Sequence, residues 1–384
     1  MKLELNKLSS AVGKLSYAIE KSTLNPQAGF VQITSKGKSL EIVACGLNYS
    51  FVATVPTLDT ENAFDVTVSS DTFIPLISKL EDTEIELREE LNKLVLTATG
   101  KEYVFPIKKD RAGNTEKLKP IPFDVSEDTV TQFTLDKEDI VSISGMHSKG
   151  IAASADASFV KDYQRYVCID GNGAITFAES IYLTTFNHRK ETTAKVLVDG
   201  TQAKLLKVFD SYPSVDVWVS VPEDYEEVSM TKFSAGGITL VFVTPSESVI
   251  SKFPCGKLRE KADLVAETHI RIDRKKLEKA LSRLMVFDKK WDAKVLDYSQ
   301  IEFSTDHLRL VSVRSKNYED IPYISQENAK DYTAIVRLVD LEKTIKALDS
   351  GKEIDMSYGN DTASTITINT GNLRQIIREI IPNT

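Results

Sequence analysis

Three stretches of this 384-residue chain read alike, and that likeness limits what the chain can fold into. Val66 to Leu80 (VTVSSDTFIPLISKL), Val196 to Phe209 (VLVDGTQAKLLKVF) and Ile335 to Leu348 (IVRLVDLEKTIKAL) each give a short β-branched strand, a polar break and a helix. Each helix closes on an apolar pair three residues apart: Ile77 and Leu80, Leu206 and Phe209, Ile345 and Leu348. An alternating strand follows each time, marked by Ile85/Leu87, Val215/Val217 and Ile354/Met356. Self-similarity on so long a period predicts three similar domains. Two aperiodic linkers rich in charge, glycine and proline, Lys108–Asp128 and Pro245–Glu267, set the expected domains at 1–125, 126–262 and 263–384.

Each repeat also opens on a strand and a helix. In the first, Leu3 and Leu5 precede a helix expected from Asn6, whose side chain is placed to cap it. Leu8, Val12, Leu15 and Ile19 form its apolar face. Lys7, Lys14, Tyr17 and Lys21 lie off that face. The second repeat opens with Phe133, Leu135 and a cap at Asp136, then a weaker helix through Ile140, Ile143 and His147, with Lys149 near its end. The third opens with Ile270, Ile272 and a cap at Asp273; Leu277, Leu281 and Leu284 face inward, and Lys275, Lys279 and Arg283 outward. In the other helix of each repeat, Lys79, Lys204, Lys207, Lys343 and Lys346 lie off the core face. One such helix is an ordinary solvated surface. Six with the same bias, in a chain of net charge −8, point to segregated positive charge, which a nucleic-acid role requires of an acidic protein.

Between the helices the chain reads as short strands punctuated by turns such as Asp170–Gly173 and Gly236-Gly237. The expected class is α+β: three repeated domains, each with two helices packed on antiparallel sheets. Hydrophobic content of 41% and charged content of 27% fit a globular protein, and no apolar run is long enough for a membrane helix. Cys45, Cys168 and Cys255 are odd in number and scattered, and the N-terminus lacks a signal-peptide core, so a cytoplasmic location is expected. No Walker-type loop, GxGxxG fingerprint or nucleophile elbow occurs. The four histidines have no metal-ligand spacing. No enzyme, cofactor or metal is expected.

With three repeats, each carrying two outward-basic helices and a β-rich remainder, the chain resembles the bacterial DNA polymerase III β subunit family, the sliding clamps. The local matches are MKLELNKLSSAVGKL, DTFIPLISKLEDTEIEL, the Phe253-Pro254 pair and the closing IIREIIPNT. The resemblance implies a ring of two subunits with helices lining a central hole. It implies non-specific contact of duplex DNA with Lys7, Lys14, Lys21, Lys79, Lys149, Lys204, Lys207, Lys275, Lys279, Arg283, Lys343 and Lys346, and retention by encirclement. It also implies a cleft for short peptides of polymerase and clamp-loader subunits. By position that cleft takes Ile181, Tyr182, Thr184, Pro254, Leu258, Ile381 and Pro382. For the homodimer contact, Val286 and Phe287 are expected to meet Tyr103 and Phe105 on an edge strand. The chain departs from many members at Asn25, before Pro26, and at Ser180-Ile181-Tyr182-Leu183, so it reads as a divergent member, with phage-borne origin an open alternative. A clamp-fold scaffold that binds peptides without encircling DNA is the competing function.

Overall fold

The computed structural model describes residues 1–22, 24–59, 63–123, 130–170, 173–177, 181–185, 195–220, 228–245, 250–253, 256–257, 260, 266–288, 299–312, 315–347, 351–359, 365–370 and 373–378. They form two compact units, Met1–Lys137 with Leu205–Ser246, and Glu138–Lys204 with Glu247–Thr384.

In the first unit, helix α1 (Leu5–Leu15) follows the strand Lys2–Glu4 without a loop. It starts one residue earlier than its sequence suggests. The Leu5 amide donates to Thr83 O, so an orphan first-turn donor is satisfied from outside the helix. Asn6 therefore lies inside the helix, and its side chain accepts only from the adjacent Lys7 amide. Leu5, Leu8, Ala11, Val12 and Leu15 are buried, the 3–4 spacing that makes α1 amphipathic. Helix α2 (Ser70–Ile77) buries Phe73 and Ile77 and stops before Lys79, which lies in the following turn beside a half-buried Leu80.

Two antiparallel sheets build this unit. One runs Lys2–Glu4, Glu84–Glu90, Lys93–Ala98, Lys101–Pro106. The other has eight strands: Asp65–Ser69, Phe30–Lys36, Ser39–Cys45, Tyr49–Pro56, Ile238–Pro245, Val228–Ala235, Ser214–Ser220 and Val130–Asp136. Its two halves come from different repeats and join along Tyr49–Pro56 and Ile238–Pro245, with Phe51 opposite Leu240 and Ser50 opposite Val241. Phe51, Ala53, Ile238, Leu240 and Phe242 are buried along that seam. Tyr49 is fixed there by its hydroxyl, which donates to Ala18 O at 2.9 Å. Gly236 and Gly237, both with positive φ, make the two-residue turn between Ala235 and Ile238 that such hairpins require.

Among the described residues the second unit holds one twelve-stranded sheet. Lys195–Asp199, Tyr166–Asp170, Gly173–Phe177 and Ile181–Thr185 join Leu373–Arg378, Thr365–Thr370, Glu353–Tyr358 and Thr268–Asp273; Tyr318–Glu327, His307–Ser312, Ser299–Phe303 and Tyr332–Val336 follow. The seam repeats that of the first unit. Ile181–Thr185 pairs with Leu373–Arg378, and Tyr182 pairs with Ile376.

Four more helices follow among the described residues. Helix α3 (Lys137–Gly150) buries Ile140 and Ile143. Helix α4 (Gly200–Ala203) tightens into a 3₁₀ segment, Lys204–Phe209, burying Leu205, Leu206, Val208 and Phe209. Helix α5 (Arg274–Asp288) is capped as its sequence predicts: Asp273 Oδ1 accepts from the Lys276 amide at 2.8 Å. Helix α6 (Leu338–Ala347) buries Leu341, Thr344 and Ile345.

Candidate nucleic-acid interface and partner surfaces

The basic residues of the first unit occupy the solvent side of α1 and of the 3₁₀ segment that continues α4. Apolar spacing turns Leu8, Val12 and Leu15 inward, which leaves Lys7 exposed and Lys14 half-buried at the rim. Lys14 Nζ donates to Ser211 Oγ at 2.9 Å and lies 3.7 Å from the centroid of the Tyr212 ring. Lys207 returns the arrangement, its ammonium 5.4 Å from the centroid of Tyr17. Each lysine thus stands over a tyrosine on the other chain segment, within the range where a ring face attracts a cation. Neither of these named partners carries charge. Lys7 differs, since its ammonium pairs with Glu4 at 3.0 Å. Lys21, Lys79 and Lys204 are exposed.

In the second unit, Lys275, Lys279 and Arg283 project from the exposed side of α5. Arg283 is held by two hydrogen bonds to Glu319, at 2.6 and 2.7 Å, which hold the Glu319 carboxyl below its usual range despite some burial. Lys346 pairs with Glu342 one turn back on α6, at 2.8 Å. The side chains of Lys149 and Lys343 lie outside the described residues. The basic member of each pair is exposed; surface pairs of this kind are worth little individually and can open to a phosphate.

Among the strand edges of the described residues, two bear on a subunit contact. Lys101–Pro106 is the outermost strand of its sheet, and residues 318–322 pair only with His307–Ser312. Phe105, expected at a subunit contact, is instead a core residue: it is 3% exposed and packs edge-on against Phe73 at 5.4 Å. Strand alternation sends Phe105 and the half-buried Tyr103 inward, so the exposed apolar side chain here is Val104, at 53%. Tyr318 is 58% exposed on the other edge, and Val286 and Phe287 are 58% and 49% exposed near the end of α5. The sequence suggests the edge strand at 101–106 but not which of its faces is buried, so it does not single out the exposed Val104 or Tyr318.

Of the expected peptide cleft, Ile181, Tyr182 and Thr184 lie on the strand at the second seam, while their side chains and Pro254, Leu258, Ile381 and Pro382 lie outside the described residues. The corresponding region of the first unit is described. There the linker residue Leu118 buries against Val43 and Cys45, with Phe30 and Val52 packed alongside. Burial pushes the Cys45 thiol up to about 11, leaving it a small apolar side chain. Among the described residues no group of three or more His, Cys, Asp or Glu is placed to hold a metal ion, and no helix is long and apolar enough to cross a membrane.

Residues 1–118 match the family described as DNA polymerase III beta subunit, N-terminal domain. No curated protein matches the chain by sequence. Among solved structures, the beta subunit of Thermotoga maritima DNA polymerase III aligns at 17% identity and TM-score 0.73, covering 99% of this chain and 98% of that one. The beta subunit from Streptococcus pyogenes aligns at 16% identity and TM-score 0.74, covering 99% of each chain. A sliding clamp from Pseudomonas aeruginosa, bound to griselimycin, aligns at 13% and TM-score 0.72, again covering 99% of each. Residues 1–118 are therefore similar to the DNA polymerase III beta subunit N-terminal domain family, and the chain as a whole has the α+β fold of the sliding clamps.

Proposed function

We propose that this chain is a sliding clamp: a non-catalytic processivity factor that closes as a homodimeric ring around duplex DNA and tethers a replicative polymerase through short peptides. Three domains per subunit, 1–125, 126–262 and 263–384, make half of a six-domain ring. The observation that carries this reading is the recurring seam. Ser50 and Tyr182 each form the last pair back to the preceding strand, with Cys45 and Phe177, and across the seams they pair with Val241 and Ile376. Those two are the fourth residues of Ile238–Pro245 and Leu373–Arg378. The same positions on two further edges are Tyr318, last to pair back with Val311, and Val104, fourth in Lys101–Pro106.

A third seam of the same register, formed between subunits, sets Val104 opposite Tyr318. It also brings the inward residues Tyr103 and Phe105 to the same face as Glu319 and Ile321, which strand pairing demands. Each subunit carries one edge of each kind, so the contact is head to tail and two copies close it. The exposed Val286 and Phe287 of α5 supply further apolar surface for this contact. The basic residues on and beside these helices then serve as a lining that attracts phosphates without reading bases.

The peptide cleft is supported by its counterpart in the first unit. Val52, which packs beside Leu118, corresponds to Thr184 in the seam register, and Leu258 follows its strand at a similar distance. An apolar floor of this kind suits a short linear motif.

The register makes a direct test. Opposed residues of an antiparallel pair have Cα atoms about 4.5–5.5 Å apart, within disulfide reach. The double variant Val104→Cys/Tyr318→Cys should give an oxidised covalent dimer, and neither single variant should. Sedimentation of the wild type as a monomer at micromolar concentration contradicts the ring.

A further inference from the structure

We propose that the groove between α1 and the 211–212 turn seats one backbone phosphate of duplex DNA, and that Tyr212 positions the lysine that binds it. The inference rests on the clamp reading above and goes beyond it in naming a site and a positioning residue. The groove has a volume of about 300 Å³ and takes its polar wall from Asn6, Lys7, Ser10 and Lys14. No carboxylate is among the described residues that line it. Such a cavity favours an anion.

Lys14 is arranged for that task. An ammonium has three N–H donors. One goes to Ser211 Oγ and one faces the Tyr212 ring, which leaves a third for a ligand in the groove that Lys14 lines. Lysine has a flexible four-carbon stem, so holding its head in place lowers the entropy lost on binding. Neutral partners hold it without cancelling its charge, unlike the Glu4 that pairs with Lys7.

Tyr212 is itself fixed. Its ring lies over Gly236, where a Cβ would collide with it, and tilts against Phe209 at 6.3 Å. Gly236 therefore serves twice, as a left-handed turn residue and as the bare platform under the ring. A flat ring backed by glycine, presenting a lysine to an acid-free groove, is more than a solvated helix face requires.

The test is a double-mutant cycle on the full-length dimer, with a short mixed-sequence duplex titrated at several salt concentrations. Lys14→Ala should weaken binding about five-fold and lower the salt slope by about 0.9, the value for one lost phosphate contact. Tyr212→Leu should weaken it about three-fold with the slope unchanged, because charge is kept and only order is lost. Tyr212→Phe, which keeps the ring, should bind as the wild type does. Tyr212→Leu should add nothing on the Lys14→Ala background. Thermal melting of each variant identifies any general loss of fold, and the Phe variant keeps the comparison valid if the Leu variant melts early. Wild-type affinity in Tyr212→Leu, or full additivity with Lys14→Ala, overturns the positioning role. Wild-type affinity in Lys14→Ala overturns the seat but leaves the clamp reading standing, whereas a wild type that shows no salt-sensitive binding overturns both.

Discussion

Asp65 receives the ammonium of Lys117 at 2.5 Å on one carboxylate oxygen while the other accepts from Gln32 Nε2 at 2.7 Å and Thr34 Oγ1 at 2.9 Å. Gln32 in turn accepts the Leu118 amide, and Thr67 Oγ1 donates to Glu116 O. The linker is thereby strapped along the edge strand Asp65–Ser69, covering an edge that could otherwise pair with another chain.

The strap gives a pH prediction. Burial alone pushes the Asp65 carboxyl up, but the hydrogen bonds from Lys117, Gln32 and Thr34 and the Lys117 charge outweigh it and hold the pKa below its usual value. A depressed folded value stabilises the protein above the unfolded pKa, and that share is lost as pH falls through the folded value. Asp65→Asn should cost roughly 1 kcal/mol at pH 7, the scale of a partly exposed hydrogen-bonded charge. In denaturant titrations the gap between wild type and variant should close below the ordinary carboxylate range. A gap that stays constant down to pH 2 contradicts this account of the strap.

The basic residues should not contribute equally to duplex binding. Lys7 and Lys346 already have carboxylate partners in Glu4 and Glu342. Lys14 and Lys207 stand over rings instead. Lys14→Ala and Lys207→Ala should each weaken a short duplex more than Lys7→Ala or Lys346→Ala, by about two-fold or more. Glu342→Gln should strengthen binding slightly, because it frees Lys346. Fluorescence anisotropy at low salt measures the order.

Much of this fold was legible because each repeat obeys two simple periods. The 3–4 spacing of Leu277, Leu281 and Leu284 marks α5 and sends Lys275, Lys279 and Arg283 outward, as found. Alternation marks Glu84–Glu90, Ser214–Ser220 and Glu353–Tyr358, which follow the second helix of each repeat. What was not legible depends on partners distant in sequence. Nothing near Phe105 says that Phe73 will cover it, or that Val104 will be the exposed residue of an edge. Nothing near Lys14 points to Tyr212, which is brought there by the seam between two repeats. Asn6 looked like a cap because its type fits one, but the Thr83 carbonyl takes the Leu5 amide and the helix starts early.

The peptide cleft carries its own prediction. Deleting Ile381–Thr384 should abolish binding of a peptide with a glutamine and a terminal Leu-Phe pair, while sedimentation still reports a dimer. Tyr182→Ala should weaken the same peptide by roughly 1–2 kcal/mol, the scale of an aromatic anchor. Calorimetric titration reads both. Undiminished affinity in the truncated protein places the cleft elsewhere.

Encirclement is the central claim, and topology tests it more directly than affinity. A ring held by a delocalised lysine lining binds a short linear duplex weakly and loses it with added salt. Loaded onto a nicked circular duplex by a clamp loader, the protein should stay bound through gel filtration at a salt concentration that strips it from linear DNA. Cutting that circle once should release it. Equal retention before and after the cut would contradict a sliding ring and favour a clamp-fold scaffold that does not encircle DNA.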